Sequence, residues 1–352
     1  MEVTIVGAYG YTGQLICQEF DNLRINFNVA GRNLQNLEEL FNRFTMLSQY
    51  FLTDVSIEED INQLLSESDI IVNCAGPYTE ESALLLEKVA EAGKYYVDIS
   101  GELGFVKNSF EKYHSIAVKS KSLIVHGCAF ESLIADLVFQ TTPSFESVKT
   151  FYWFNQKYVS PGTKMTMKLS KYRKPLCVTN HKWKLFDDNN RYNIRMGDKN
   201  FTVVPYPLPE VAFAINRQGC KNAYSFLLLD QDEAKYVSHS WNDNIDTTQI
   251  LKKLKERKSK GPSAEQRAQH LSRIIVEFIL SDGSKMVKAI ENIDMYGTTA
   301  KAIALAVQSF LKKPNSLKGV ICPARLFEGR ESEVLEELSV SPLVISFNRQ
   351  SC

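Results

Sequence analysis

The amino-acid sequence predicts an α/β protein with a doubly wound parallel sheet and an inserted α+β domain built on a largely antiparallel sheet. Three observations carry that prediction. Across the first 140 residues, short apolar runs alternate with stretches of helical spacing, the pattern of strands buried on both faces. Three glycines, Gly7, Gly10 and Gly13, stand where the first apolar run meets the first helical stretch. After about residue 145, apolar and polar residues alternate singly, as in a sheet with one solvated face.

The elements follow in order. Residues 3–6 read as a strand, 12–22 as a helix, 25–30 as a second strand and 34–44 as a second helix. Residues 50–54 form a short third strand, and 57–66 have helical spacing. The β-branched run at 70–74 is a fourth strand, and Gly93 is placed to stop a helix over 82–92. A strand at 95–99, one amphipathic helix at 105–120 and a strand at 123–127 complete this part. Beyond it, 148–157 and 164–172 alternate like strands, and 189–210, with Pro205, Pro207 and Pro209, reads as loop. Residues 273–281 and 285–293 form a hairpin around Asp282-Gly283. An alanine-rich helix at 298–311, a strand at 319–322 and a weak strand at 343–347 follow. The expected division is 1–140 for nucleotide binding, 141–295 for substrate binding and dimerisation, and 296–352 returning to the first domain.

Composition narrows the function classes. The 352 residues carry 41 lysines and arginines against 41 aspartates and glutamates, so no chain-wide field favours nucleic acid. No apolar run approaches the roughly 18 residues that a membrane-spanning helix needs. The first residues lack a basic, apolar leader, so a cytoplasmic location is expected. Seven cysteines without a CxxC, and histidines without ligand spacing, predict neither disulfides nor a metal. The basic stretch over 252–260 reads as a solvated helix or as a docking face for an acidic partner.

The most informative segment is Gly7-Ala8-Tyr9-Gly10-Tyr11-Thr12-Gly13. Set between a strand and a helix, it is a Rossmann-type phosphate cradle: glycines admit the pyrophosphate, and unpaired N–H groups attract it. The second strand then ends Ala30-Gly31-Arg32-Asn33, with a guanidinium where NAD-binding chains carry a carboxylate. Arg32 can pair with a 2′-phosphate, which favours NADP(H). Asn33 lies beside it, and Asp54 is placed to flank the adenine.

Ligands of doubly wound sheets lie beyond the carboxyl ends of the strands. Three segments end there. In Ala75-Gly76-Pro77-Tyr78 the backbone approaches the cofactor, and Tyr78 donates a proton or walls the pocket. In Ser100-Gly101-Glu102, Glu102 is an acid, a substrate ligand or a helix N-terminal carboxylate. His126 at the last strand end is catalytic or structural. Ser132 and Asp136 are placed to cap the helix that follows.

Five blocks in order, Gly7 to Gly13, Ala30 to Asn33, Val72 to Tyr78, Tyr96 to Glu102 and Gly127 to Asp136, resemble the saccharopine-dehydrogenase-like oxidoreductases, including bacterial trans-acting enoyl reductases. The resemblance is strong over the first 140 residues and weaker over 296–325. Ala129, Glu131 and Ile134 stand where that family usually has glycine, aspartate and proline. The resemblance implies an NADP-dependent reductase of a C=C or C=N bond, acting on a small molecule or a carrier-bound one. It leaves open a saccharopine-type imine dehydrogenase and a non-catalytic NADP-binding scaffold. A homodimer is compatible with each.

Overall fold

The computed structural model describes residues 1–352 except 80–81, 156–157, 171–174, 187–191, 197–198, 231–232, 235–260, 313–315, 345–346 and 350–352. Its first strands are β1 Val3–Val6, β2 Phe27–Gly31, β3 Leu47–Leu52, β4 Ile70–Asn73, β5 Tyr95–Asp98 and β6 Leu123–Val125. Next come β7 Phe145–Asn155, β8 Leu176–Thr179, β9 Lys182–Leu185, β10 Tyr192–Met196, β11 Lys199–Pro205 and β12 Asn222–Leu229. The last are β13 Leu271–Leu280, β14 Lys285–Ile293, β15 Gly319–Ile321, β16 Val340–Pro342 and β17 Phe347–Arg349. The chain divides into two compact units, residues 1–133 with 296–330 and residues 134–295 with 331–352. Among the described residues, no helix is long and apolar enough to cross a membrane.

The first unit is built on a parallel sheet in the order β15-β6-β5-β4-β1-β2-β3. This is the doubly wound order with β15 added beyond β6, and the order reverses between β1 and β4. Every residue of β1, β2, β4 and β6 is buried, because helices cover both faces. Gly93 ends the helix Ala83–Ala92 in the left-handed conformation, with φ +72°. The helix expected over 105–120 is two, Leu103–Lys112 and His114–Ser120, parted at Tyr113 with φ −107°. Its apolar stripe runs through the break, so spacing alone does not reveal it.

The second unit holds a sheet in the order β16-β14-β13-β7-β12-β11-β10-β17, with the β8–β9 hairpin joined to β12. β7 runs parallel to β12 and antiparallel to β13. Phe151 stacks on Phe226 at 5.2 Å, and Ile194, Val203 and Ile275 complete the core on that face. Asp282-Gly283 turns β13 into β14, with Gly283 at φ +83°.

Two expectations are corrected here. The segment 164–172 is no strand; the helix Pro161–Ser170 occupies it up to Ser170. Ser160 supplies the reason: its Oγ accepts the Thr163 N–H at 3.1 Å, and Pro161 stands at the first helical position. This start signal overrides the alternation of Met165, Met167 and Leu169. The segment 189–210 is not wholly loop, because β10 and β11 pair from Tyr192↔Val203 to Met196↔Lys199. The prolines lie at the end of β11 and beyond it, where no further N–H is asked of the ladder. The basic stretch 252–260 lies outside the described residues.

Candidate functional site

The glycine segment forms the turn from β1 into the helix Tyr11–Asn22. Gly7 has φ +76°, and a Cβ there would fall 2.9 Å from the Ala75 backbone nitrogen. A Cβ on Gly13 would fall 2.6 Å from the Gly7 carbonyl oxygen, so the helix can approach the loop only without one. Gly10 is the residue before the helix and offers no side-chain cap. This is the positive end of the helix, where an anion is favoured. Ala8 is buried beneath the turn. Tyr11 packs edge-on against Tyr296 at 5.1 Å, and Thr12 is half-buried in the first turn.

Tyr9 links this turn to the end of β2. Its hydroxyl accepts the Arg32 N–H at 3.2 Å, and its ring lies where any side chain at residue 31 would stand. Gly31 leaves room for that ring. The Arg32 side chain is 62% exposed, and its guanidinium lies 3.9 Å from the Asp54 carboxylate. Asn33 caps the helix Leu34–Phe41, its Oδ1 accepting the Asn36 N–H at 2.9 Å. Asp54 Oδ1 accepts the Ser56 N–H at 3.0 Å and the Ser56 hydroxyl at 2.7 Å.

The other strand ends carry a buried polar network. The Tyr78 hydroxyl donates to the Asn73 carbonyl at 2.7 Å, and Ala75 N–H donates to Asn73 Oδ1 at 3.0 Å. Gly76 is exposed and Pro77 half-buried between them. Asn73 Nδ2 donates to the Tyr96 hydroxyl at 3.0 Å, which donates to Asp98 Oδ2 at 3.0 Å. His126 Nδ1 lies 2.7 Å from the same oxygen, and its Nε2 lies 2.7 Å from Ser109 Oγ. Asp98 Oδ1 accepts the Ser100 N–H at 3.0 Å, the Ser100 hydroxyl at 2.7 Å and the Gly127 N–H at 2.9 Å.

Burial would raise the Asp98 carboxyl, but the attraction of His126 and the donated bonds outweigh it and hold it below the ordinary range. Because Asp98 is ionised, His126 Nδ1 is the donor in their bond. Burial, reinforced by the Asp98 charge, pushes the Tyr78 and Tyr96 phenols well up. Ser109, His126 and Asp98 have the spacing of a Ser–His–Asp hydrolase triad. All three are completely buried, so Ser109 Oγ is closed to a substrate.

The structure thus places the sequence-predicted residues in two groups. Gly7 to Gly13, Arg32, Asn33 and Asp54 gather beyond β1, β2 and β3. Tyr78, Ala75, Gly76, Pro77, Ser100, Gly101, Glu102 and His126 gather beyond β4, β5 and β6. Tyr78 and His126 are buried, whereas Glu102 is half-exposed and accepts the Gly101 N–H on Oε2 at 3.0 Å. Glu131 lies in the first turn of the helix Phe130–Gln140, where desolvation raises its carboxyl. That helix begins at Phe130, so Ser132 and Asp136 lie inside it and do not cap it. Asp136 instead pairs with Arg217 at 2.5 Å. Sequence reasoning missed Asp98, Tyr96, Ser109 and Asn73. A carboxylate closing an apolar strand of a parallel sheet was the available signal.

The open helix end, the glycine cradle and the exposed guanidinium fit a phosphorylated dinucleotide. Residues 3–125 match the saccharopine dehydrogenase NADP-binding domain. A trans-acting enoyl reductase of Mycobacterium ulcerans is 32% identical over 143 residues, covering 39% of this chain and 34% of the relative. A saccharopine dehydrogenase-like oxidoreductase of Bos taurus is 23% identical over 274 residues, covering 70% of this chain and 61% of the relative. The match thus spans about a third of the mycobacterial relative's length. The apo saccharopine dehydrogenase (L-Glu forming) of Saccharomyces cerevisiae shares the fold, with a TM-score of 0.63, 12% identity and 99% of each chain covered. Residues 3–125 are thus similar to the NADP-binding domain of the saccharopine dehydrogenases, and the chain resembles the saccharopine-dehydrogenase-like oxidoreductases.

Proposed function

We propose that the protein is an NADPH-dependent reductase of a C=C bond in an enoyl-type substrate, free or attached to a carrier protein. The observation that carries this reading is the pairing of an uncapped glycine cradle with an exposed Arg32 at the end of β2. The cradle N–H groups hold the pyrophosphate, and Arg32 holds the 2′-phosphate that distinguishes NADPH from NADH. Bound NADPH supplies a hydride. The residues beyond β4 to β6 wall the acceptor's side of the cofactor and keep water from it. Glu102, half-exposed at the start of the helix Leu103–Lys112, is assigned the proton that completes reduction. Tyr78 and His126, both buried, hold the loops around it.

The mycobacterial relative's name supports C=C over C=N reduction. A saccharopine-type substrate carries several carboxylates and asks for convergent arginines. Arg217 is already engaged by Asp136 at 2.5 Å and by Gln140 at 2.7 Å, and this favours the enoyl reading. A cytoplasmic location, a homodimer and a substrate-binding role for the second unit belong to the same proposal.

The test is a spectrophotometric assay of NADPH oxidation with enoyl thioesters, free and carrier-bound, beside amino acid and keto acid pairs. Turnover with the thioesters is expected. Turnover only with the amino acid pairs would replace the reading by imine reduction. NADPH binding without turnover on either would leave a cofactor-binding scaffold.

A further inference from the structure

We propose that Asp98 is the positioning residue of the nicotinamide half of the cofactor site, holding three loops to one buried anion. The inference rests on the reading that NADPH binds this unit. A doubly wound sheet consists of two mononucleotide-binding halves. Here β1 to β3 carry the cradle and Arg32, so the nicotinamide half falls to β4, β5 and β6.

Asp98 ends β5 and is completely buried. Its Oδ1 takes the Ser100 N–H and hydroxyl, which fixes the loop that begins Ser100-Gly101-Glu102. The same oxygen takes the Gly127 N–H, and its own carbonyl takes the Cys128 N–H at 2.8 Å, which fixes the loop after β6. Its Oδ2 takes the Tyr96 hydroxyl, which receives Asn73 Nδ2, while Asn73 Oδ1 receives the Ala75 N–H. The loop after β4 is thereby tied to the same charge. His126 bonds Oδ2 and reaches Ser109 on the helix Leu103–Lys112.

The donors are directed. From the Ala75 N–H, each group donates toward the carboxylate. His126 Nδ1 donates to Asp98, and its Nε2 meets Ser109 Oγ at 2.7 Å. The polarity of the whole array therefore depends on one negative charge. A neutral amide in its place presents an N–H₂ to Tyr96 and His126, and both must reverse or part. Among the described residues the cradle and Arg32 receive no bond from Asp98, so the loss of geometry falls chiefly on the β4 to β6 side.

Calorimetry on the full chain tests this with two probes: 2′,5′-ADP, which fills the adenosine half alone, and NADP⁺, which fills both. In Asp98→Asn the affinity for 2′,5′-ADP is expected to stay within about twofold, while that for NADP⁺ falls about tenfold, the scale of a charge-assisted bond. A folded Asp98→Asn with unchanged affinity for both probes, or with equal losses for both, overturns the proposal. Should Asp98→Asn not fold, Tyr96→Phe, which cuts the tie to the loop after β4 and leaves the charge, decides by the same ratio. A smaller selective loss for NADP⁺ supports the hub, and no selective loss overturns it. Wild-type protein that binds neither probe overturns the cofactor reading itself.

Discussion

The two halves of the parallel sheet hold their loops by different means. Beyond β1 to β3 the fit is made with backbone: Gly7 and Gly13 let chain segments lie closer than a Cβ allows, and Gly31 leaves room for the Tyr9 ring. Beyond β4 to β6 it is made with a buried charge that gathers N–H and O–H donors from Ser100, Gly127, Tyr96 and His126. The first device leaves a helix end without a side-chain cap beside an exposed guanidinium, which suits a charged ligand. The second turns its polar groups inward, toward the buried Asp98. A site that grips phosphate and a site that orients a flat ring have different needs, and on the proposed reading one sheet meets both at opposite sides of its switch point.

The glycines carry the largest expected effect. Gly13→Ala sets a Cβ against the Gly7 carbonyl, a backbone atom that has nowhere to move. A loss above about 2 kcal/mol of unfolding free energy is expected, together with NADPH binding. Urea denaturation and NADPH fluorescence read the two effects, and an alanine variant as stable as the parent would refute the packing argument. Asp98→Asn comes next, with a cost of about 3 kcal/mol for breaking a buried charged pair. Its pH dependence has a definite sign. The folded carboxyl titrates below its ordinary value of about 3.9. Its contribution is thus complete above that pH and is lost as pH falls through the lower folded value. Denaturation midpoints should fall on acidification below about pH 4 in the parent, by an increment that Asp98→Asn lacks.

The difference between the halves also explains what could be read from the chain. A backbone device leaves glycines at a required spacing, so the cradle, the turn into the helix and Arg32 were legible together. The inner strands of the parallel sheet were legible because burial on both faces demands continuous apolar runs, whereas β3, largely exposed, begins three residues before the 50–54 read from the sequence. The hub was not, because its members come from four elements and only the folded chain brings Asn73, Tyr96, Asp98, Ser109 and His126 together. His126 was visible as a rare residue at a strand end, but its partners were not. In the second unit, the period-2 pattern of 164–172 lost to the start signal at Ser160-Pro161, and β10 and β11 were hidden by neighbouring prolines.

Two smaller changes probe the exposed end of β2. Arg32→Ala should leave stability within about 0.5 kcal/mol, since the side chain is 62% exposed and its pair with Asp54 is long at 3.9 Å. Affinity for NADPH should fall about tenfold and that for NADH should hold, as titration of each against the variant would show. An equal fall for both would remove Arg32 from the 2′-phosphate.

Asp54→Asn is the mildest change and separates two roles. The amide keeps an oxygen for the Ser56 N–H and hydroxyl, bonded at 3.0 and 2.7 Å, so the turn stands. It removes a negative charge 3.9 Å from the Arg32 guanidinium. If that carboxylate competes with phosphate for Arg32, NADPH affinity rises about twofold at low salt, and the gain shrinks as salt screens the pair. NADH, which lacks the phosphate, shows no gain. If Asp54 instead flanks the adenine, both cofactors bind the variant more weakly and by the same factor, because both carry that ring. The ratio of the two affinities therefore reads the electrostatic role, and their common change reads the contact with adenosine.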